Sequence, residues 1–314
     1  MQQYDFVTPE PLFQIAPVPP TPQPRLPQWL RKGSTHFEAV HLLKAQLRER
    51  HLHTVCESAR CPNIHECFAR SAATFMILGN LCTRGCGFCS VPKGSAAKHE
   101  FFLDPDEPRH VAEMAAKMNL RYIVITSVNR DDLADGGSYH FAETVREVRF
   151  ANPHARVEVL TPDFNGDLGA VARVLDAGPH VFNHNMETVL RLYRRVRPQA
   201  NYGQSLEVLR FAKQYRPDVL TKSGLMVGLG ESVEEVQQLL RDIRASQVDV
   251  ATIGQYLQPT RRNLPVAEYI TPAQFDAYRD YGRGIGFKMV FSGPLVRSSY
   301  MAEHVSEQVT RAHA

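Results

Sequence analysis

The sequence predicts an α/β fold, an open partial (β/α)6 barrel. Two observations carry this. From about Thr74 onward, short apolar runs alternate with stretches whose apolar residues recur at helical spacing. That alternation implies parallel strands joined by right-handed helical crossovers, and about six such units fall short of the eight of a closed barrel. A third observation locates the chemistry. Three cysteines follow the first strand directly, and in such folds the working residues gather at the C-terminal strand ends.

The elements follow in order. Residues 1–35 form a Pro-rich arm, opening "MQQYDFVTPEPLFQIAPVPPTPQP". It has neither the basic and apolar regions of a secretory signal nor the Arg-rich character of a transit peptide, and reads as a mobile or surface-hugging arm. Residues 36–73 form an N-terminal extension, in which "HFEAVHLLKAQLRERHL" reads as one amphipathic helix. Residues 74–290 form the barrel, and residues 291–314 a C-terminal segment. The first barrel strand is "TFMILGN". "RHVAEMAAKMNL" places Val111, Met114, Ala115 and Met118 on one helical face, and "YIVITSV" and "RVEVLTP" are strands. "DLGAVARVLDAG" aligns Leu168, Val171, Val174 and Leu175 and stops at Gly178, before the strand "VFNHNM". "GQSLEVLRFAKQY" is a helix and "LTKSGLMVGLG" a strand. "SVEEVQQLLRDI" opens with Ser232 and Glu235 as a capping box and buries Val236, Leu239, Leu240 and Ile243; the strand "VATIGQYL" follows.

Composition sets outer limits. The chain has 314 residues, 43% hydrophobic and 22% charged, ordinary values for a soluble globular protein. A net charge of +3 gives no argument for nucleic acid or an anionic membrane. No segment approaches the roughly eighteen uninterrupted apolar residues of a membrane span. The expectation is a cytoplasmic protein with no nucleic-acid and no membrane partner.

All six cysteines fall in one short stretch: Cys56, Cys61, Cys67, Cys82, Cys86 and Cys89. Three disulfides or six buried thiols are the blander readings. A reducing compartment disfavours the first and the clustering disfavours the second, so ligation is the better account. Thiolates suit zinc, Cu(I) or iron–sulfur clusters. A structural zinc site takes four ligands, and an electron-carrying four-iron cluster has all four corners on protein thiolates. Three thiolates leave one iron open to a small molecule.

The spacing Cys-x3-Cys-x2-Cys in "CTRGCGFC", with Phe88 before the last cysteine, resembles the cluster motif of the radical S-adenosylmethionine superfamily. "CESARCPNIHECF", with Cys-x4-Cys-x5-Cys spacing, and "RSSYMAE" near the C-terminus together resemble the lipoyl synthase family. "TSVNRDDLADGG", "LMVGLGE" and "SGPLVRSSY" extend the resemblance from the first helix to Glu303. The family often has His where Met301 stands. The resemblance implies a barrel of the radical S-adenosylmethionine type with two 4Fe-4S clusters. Cys82, Cys86 and Cys89 would hold the cluster that binds S-adenosylmethionine. Cys56, Cys61 and Cys67 would hold an auxiliary cluster, with Ser299 as its fourth ligand. It implies sulfur insertion at C6 and C8 of an octanoyl-lysine, with the auxiliary cluster as sulfur source. The octanoyl group would sit on a carrier such as the glycine cleavage H protein or the E2 subunit of a 2-oxo-acid dehydrogenase. An electron donor such as ferredoxin or flavodoxin, and an iron–sulfur carrier protein for cluster repair, are implied partners.

Other features have two readings. Gly136 and Gly137 either form a turn or let backbone approach the methionyl end of S-adenosylmethionine. Asn185 and Glu187, after the fourth strand, either hydrogen-bond the cofactor's ribose or amino group or, at Glu187, cap a helix. "RLYRRVRP" from Arg191 is either a solvated face or a source of arginines for a cofactor carboxylate. "GLGES" at Gly228 lacks the third glycine of a dinucleotide loop. His51, His53 and His65 read as surface or packing residues, with His65 a candidate neighbour of the auxiliary cluster.

Overall fold

The computed structural model describes residues 25–31, 44–50, 52–58, 61–69, 74–95 and 103–299, the side chains at 65, 68 and 69 excepted. Most of the Pro-rich arm, the first part of the expected 36–52 helix, His51, the His65 side chain and residues 300–314 lie outside this set. Residues 44–49 are helical and bury Leu47.

In chain order the barrel elements are β1 (His53–Thr54), α1 (Val55–Ser58), α2 (Ile64–Ala69), β2 (Thr74–Ile77), α3 (Glu107–Lys117), β3 (Tyr122–Ser127) and α4 (Ser138–Ala151). They continue with β4 (Arg156–Leu160), α5 (Leu168–Asp176), β5 (Val181–Asn183), α6 (Tyr193–Val196), α7 (Tyr202–Tyr215) and β6 (Leu220–Val227). The last are α8 (Val233–Ala245), β7 (Val250–Gln255), α9 (Pro272–Gly284) and β8 (Met289–Gly293). The sheet runs β1 to β8 in sequence order. β2 through β8 are parallel and only β1 is antiparallel, pairing His53 with Met76 and Thr54 with Phe75. Among the described strands β1 and β8 do not pair, so the barrel is open.

The six expected parallel strands are β2 to β7. β8 extends the sheet by one more, and β1 adds a short antiparallel edge. The helices form where the sequence caps them. Asp167 accepts from the backbone N–H of Gly169 and Ala170, Asn201 from Gln204, and Thr271 from Gln274. Ser232 and Glu235 make the full capping box of α8. One face of each helix covers the sheet: Val111, Met114 and Ala115 from α3, Val171, Val174 and Leu175 from α5, Val236, Leu239, Leu240 and Ile243 from α8, all buried. Each fully buried aliphatic side chain contributes about 1.5–3 kcal/mol before conformational entropy is counted.

The barrel interior differs from this outer layer. Lys222 Nζ on β6 lies 3.0 and 3.1 Å from the two carboxylate oxygens of Glu158 on β4. Tyr122 Oη donates to Glu158 Oε2 at 2.6 Å, and Asn183 Nδ2 to Oε1 at 3.1 Å. The pair is sealed from water and its lone pairs are taken up, the condition under which a buried ion pair is tolerated.

Candidate active site

The loop after β2 is tied down on every side. The Cys82 amide donates to Pro92 O and the Gly94 amide to Cys82 O, which closes the loop upon itself. Arg84 lies between the first two cysteines and is 4% exposed. Its guanidinium donates to both Asp131 oxygens at 2.8 and 2.9 Å, to Asp163 Oδ2 at 2.9 Å and to Asn165 Oδ1 at 2.7 Å. Gly85 N donates to Gln199 Oε1, Gly87 N to Val196 O, and Asn263 Nδ2 to Cys89 O. The loop is thus clamped between the ends of β3 and β4 and the segments after β5 and β7.

Within it, Cys82 Sγ accepts from the amides of Arg84 and Asn129, each at 3.4 Å. Burial pushes the Cys89 thiol up to about 12, with Cys86 and Cys82 adding repulsion. Burial also raises Cys86; Arg197 opposes this, while Cys82 and Glu187 add to it. Burial and neighbouring charge thus disfavour the thiolate forms of Cys86 and Cys89. A bound cation would supply the missing stabilisation, which is how clustered thiols become thiolate ligands. The donor set fits a metal cluster.

The second triplet approaches from the other end. Because β1 runs antiparallel to β2, Val55 and Cys56 pass the N-terminal end of β2, while Cys82 follows its C-terminal end. The Cys61 amide donates to Cys56 O and the Cys67 amide to Asn63 O. Burial pushes the Cys56 thiol up to about 12, and Cys61 adds to the shift. Asn63 Nδ2 donates to Leu295 O at 2.8 Å, binding this triplet to the C-terminal segment.

A cavity of about 330 Å³ borders the second triplet and Phe88, the residue before Cys89. Cys56, Cys61, Cys67, Ser299, Ser298 and Arg297 line one side, and Phe88, Asn185 and Glu187 another. Val55, Val124, Leu160 and Met226 supply apolar wall. Arg297 faces Cys61; burial lowers its pKa and Cys61 opposes that shift. Among the described residues it has no carboxylate partner.

Among the described residues Glu187 caps no helix; the turns that follow start from Val189 and Leu192. The Glu187 backbone bridges Leu225 on β6, with φ of 68°, the left-handed region that non-glycine residues enter at a cost. Burial raises its pKa against the pull of Arg197 and of the Asn185 amide. Asn185 Nδ2 donates to Glu187 Oε1 at 3.0 Å, and Asn185 Oδ1 is buried with no donor among the described residues. A Cβ on Gly224 would meet that oxygen at 2.7 Å, so only glycine leaves it room.

Gly136 and Gly137 follow β3 at the start of α4, with φ of 61° and 83°. A Cβ on Gly137 would lie 2.5 Å from Leu78 Cδ1. Asp135 accepts from the amides of Gly137 and Tyr139, so it caps α4; the Gly137 carbonyl accepts from the Phe141 amide, which leaves the Gly136 carbonyl as the polar group to offer a ligand. The arginine run divides. Arg191, Arg194 and Arg195 are exposed, and Arg191 pairs with Glu235. Arg197 is buried beside the site, donating to Asn185 O at 2.9 Å and to Tyr193 Oη at 2.9 Å. The Gly228 turn is filled by its own Glu231 carboxylate, which accepts from the amides of Gly228 and Leu229. His53 is half-buried in β1. No helix among the described residues is long and apolar enough to cross a membrane.

Arg84, Asn63, Arg197 and Ser298 are site residues that spacing alone does not single out. All four sit inside stretches already quoted, Asn63 in the second triplet's motif and Arg197 in the arginine run, but their tertiary partners are what distinguish them from their neighbours.

Comparison with known proteins agrees with this geometry. The family model for the Radical SAM superfamily matches residues 76–243, and the barrel resembles two solved structures. Methylornithine synthase gives a TM-score of 0.51 at 15% identity over 86% of this chain and 82% of that one. A maturase of the FeFe-hydrogenase gives 0.54 at 14% identity over 82% and 63%. Fold and match define a radical S-adenosylmethionine protein. The model for the N-terminal domain of lipoyl synthase matches residues 16–61. Lipoyl synthase of Rubrobacter xylanophilus is 55% identical over 91% of this chain and 88% of its own length. That of Thermus thermophilus is 51% identical over the same shares, and that of Caldanaerobacter subterraneus 53% identical over 89% and 96%. The chain belongs to the lipoyl synthase family.

Proposed function

We propose that this enzyme inserts two sulfur atoms, at C6 and C8, into a protein-bound octanoyl-lysine, as a sulfurtransferase that makes lipoyl-lysine in the cytoplasm. The observation that carries the proposal is the single cavity that the second cysteine triplet and Ser299 share with Asn185, Glu187 and Phe88. Sulfur inserted into a carbon chain must come from a group in reach of the activated carbon, and one cavity satisfies that.

Cys82, Cys86 and Cys89 would hold one 4Fe-4S cluster, the one that binds S-adenosylmethionine. Cys56, Cys61, Cys67 and Ser299 would hold the auxiliary one. When bound, the clusters and S-adenosylmethionine supply the one-electron chemistry that opens an unactivated C–H bond, and the sulfur. Everything else falls to the chain. Gly136, Gly137, Asn185 and Glu187 position S-adenosylmethionine. Arg197, donating to the Asn185 carbonyl, fixes the backbone between Asn185 and Glu187. The apolar wall of Val55, Val124, Leu160 and Met226 receives the octanoyl chain and excludes water that would intercept a reactive carbon. Ser299 would give the auxiliary site one oxygen donor, harder than its three thiolates. Carrier domains such as the H protein and E2 subunits present the octanoyl-lysine, ferredoxin or flavodoxin supplies electrons, and an iron–sulfur carrier restores the auxiliary cluster.

The test separates the two triplets. Anaerobically reconstituted enzyme is expected to hold about eight irons, and a Cys82, Cys86, Cys89 triple alanine variant about half. Cys86→Ala is expected to abolish cleavage of S-adenosylmethionine. Cys61→Ala should keep cleavage measurable and stop sulfur insertion. Parent-rate lipoyl formation by Cys61→Ala, or stoichiometric zinc with no acid-labile sulfide in the parent, contradicts the assignment.

A further inference from the structure

Ser298, the residue before the expected serine ligand, makes the contact that joins the two ends of the site. Asn185 Nδ2 donates to Ser298 Oγ at 2.8 Å and to Glu187 Oε1 at 3.0 Å. Both hydrogens of one amide are therefore spent, one on the C-terminal segment and one on the Glu187 carboxylate. The contact is crowded as well as polar. A Cβ on Gly224 would lie 2.7 Å from Asn185 Oδ1, 2.7 Å from Thr252 Oγ1 and 2.9 Å from Ser298 Oγ, so three side-chain oxygens converge over that one glycine.

The segment around Ser298 is fixed at its other end too. Leu295 O accepts from Asn63 Nδ2, between the second and third cysteines of the N-terminal triplet. Val296 O lies so close over Gly254 on β7 that any Cβ there would overlap it. Residues 295–299 thus span from the triplet to the β5–β6 wall, with Ser298 as the hydrogen-bonded foot on that wall.

We infer that Ser298 is a positioning residue that couples the two ends. Its hydroxyl orients the Asn185 amide, and through it the Glu187 carboxylate. Filling of the Asn185–Glu187 end by S-adenosylmethionine and seating of residues 295–299 on the triplet then reinforce each other. The inference rests on the reading of Asn185 and Glu187 as contacts to S-adenosylmethionine. The coupling has a physical source. Glu187 sits in a left-handed backbone conformation, and its carboxyl group is held by the Asn185 amide, whose other hydrogen goes to Ser298. Without the Ser298 oxygen, one Asn185 N–H loses its acceptor in a buried wall, and the amide is free to turn away from Glu187. Linkage makes the effect reciprocal: whatever Ser298 adds to cofactor binding, the cofactor adds to the seating of the segment. Ser299 is the next residue, so its placement in the cavity wall follows the seating of this segment.

The experiment compares parent, Ser298→Ala, Ser298→Thr and Asn185→Ala, reconstituted to equal iron content. Two readouts are taken: S-adenosylmethionine affinity by equilibrium dialysis, and hydrogen–deuterium exchange of the 295–299 amides with and without S-adenosylmethionine. In the parent, S-adenosylmethionine is expected to slow exchange of this segment by about fivefold or more. Ser298→Ala is expected to bind S-adenosylmethionine about fivefold to tenfold more weakly, the size of one hydrogen bond, and to lose the protection. Ser298→Thr keeps the hydroxyl and is expected to restore both. Parent-like affinity and protection in Ser298→Ala would overturn the coupling, as would a Ser298→Thr variant as defective as Ser298→Ala. Asn185→Ala separates the layers. If it binds S-adenosylmethionine like the parent, the assignment of that end of the site is wrong. If it binds weakly while Ser298→Ala does not, only the coupling is wrong.

Discussion

Arg84 shows how one side chain can set the shape of a ligand loop. Its planar fork satisfies Asp131, Asp163 and Asn165 at once, and holds the Asp163 carboxyl down at about 2 although burial opposes this. Lysine has no such geometry. Arg84→Met would leave the buried Asp163 charge unpaired. It is expected to cost roughly 3 kcal/mol in urea unfolding and to impair cluster retention at the first triplet. A variant with parent stability and iron content would show that the fork is dispensable. His184 gives a pH prediction. It is 1% exposed, sits between Thr161 O and Ser205 Oγ, and burial first, then Arg197, depress its pKa to about 4. The folded protein keeps it neutral while the unfolded chain protonates near 6.5, so its stability contribution is present above that pH and is lost as pH falls toward 4. Asp163 acts lower, its contribution present above 3.8 and lost as pH falls through 2. The unfolding free energy of the apo-protein, read from urea titrations, should therefore fall on acidification from pH 7 to 4, by roughly 3 kcal/mol for His184. His184→Gln should flatten that part of the curve; an unchanged slope would assign it to other groups.

At the scale of elements, the interior pair between β4 and β6 separates two kinds of packing. The outer helices cover the sheet with aliphatic side chains, whereas Glu158, Lys222, Tyr122 and Asn183 form a polar network inside. Glu158→Met or Lys222→Met alone is expected to cost about 3–5 kcal/mol by stranding a charge, and the double variant less than either sum predicts. Strict additivity in the double-mutant cycle would mean that the two charges do not interact. The periodic elements of the barrel were legible in the sequence because their signals are local: apolar spacing for α3, α5 and α8, and cap chemistry at Ser232 and Glu235. β8 was not legible. Its apolar run, Met289–Phe291, is only three residues long, too short to show a strand period. β1 is two residues long, too short for any period. The cysteine positions were legible from spacing, but the contacts that pose them were not. Asn63 meets Leu295, Asn185 meets Ser298 and Arg84 meets Asp163 across long sequence separations, and no local rule encodes such pairs.

Over the whole molecule, the open barrel gives the two triplets their relation. One follows the C-terminal end of β2, and the other enters past its N-terminal end on the antiparallel β1. The C-terminal segment crosses from Asn63 to Asn185 and carries Arg297, Ser298 and Ser299 into the cavity wall. A closed barrel would have left no room for an N-terminal and a C-terminal ligand to meet in its interior. The central claim is that this shared cavity is where sulfur passes to an acyl chain. Mass spectrometry of an octanoyl-lysine peptide, after anaerobic incubation with reconstituted enzyme, S-adenosylmethionine and a reductant, tests it most directly. The account predicts a product that has gained two sulfur atoms with the parent enzyme, and 5′-deoxyadenosine without doubly thiolated product with Ser299→Ala. A peptide that gains no sulfur while S-adenosylmethionine is cleaved, or a Ser299→Ala variant that forms lipoyl-lysine at the parent rate, would contradict it.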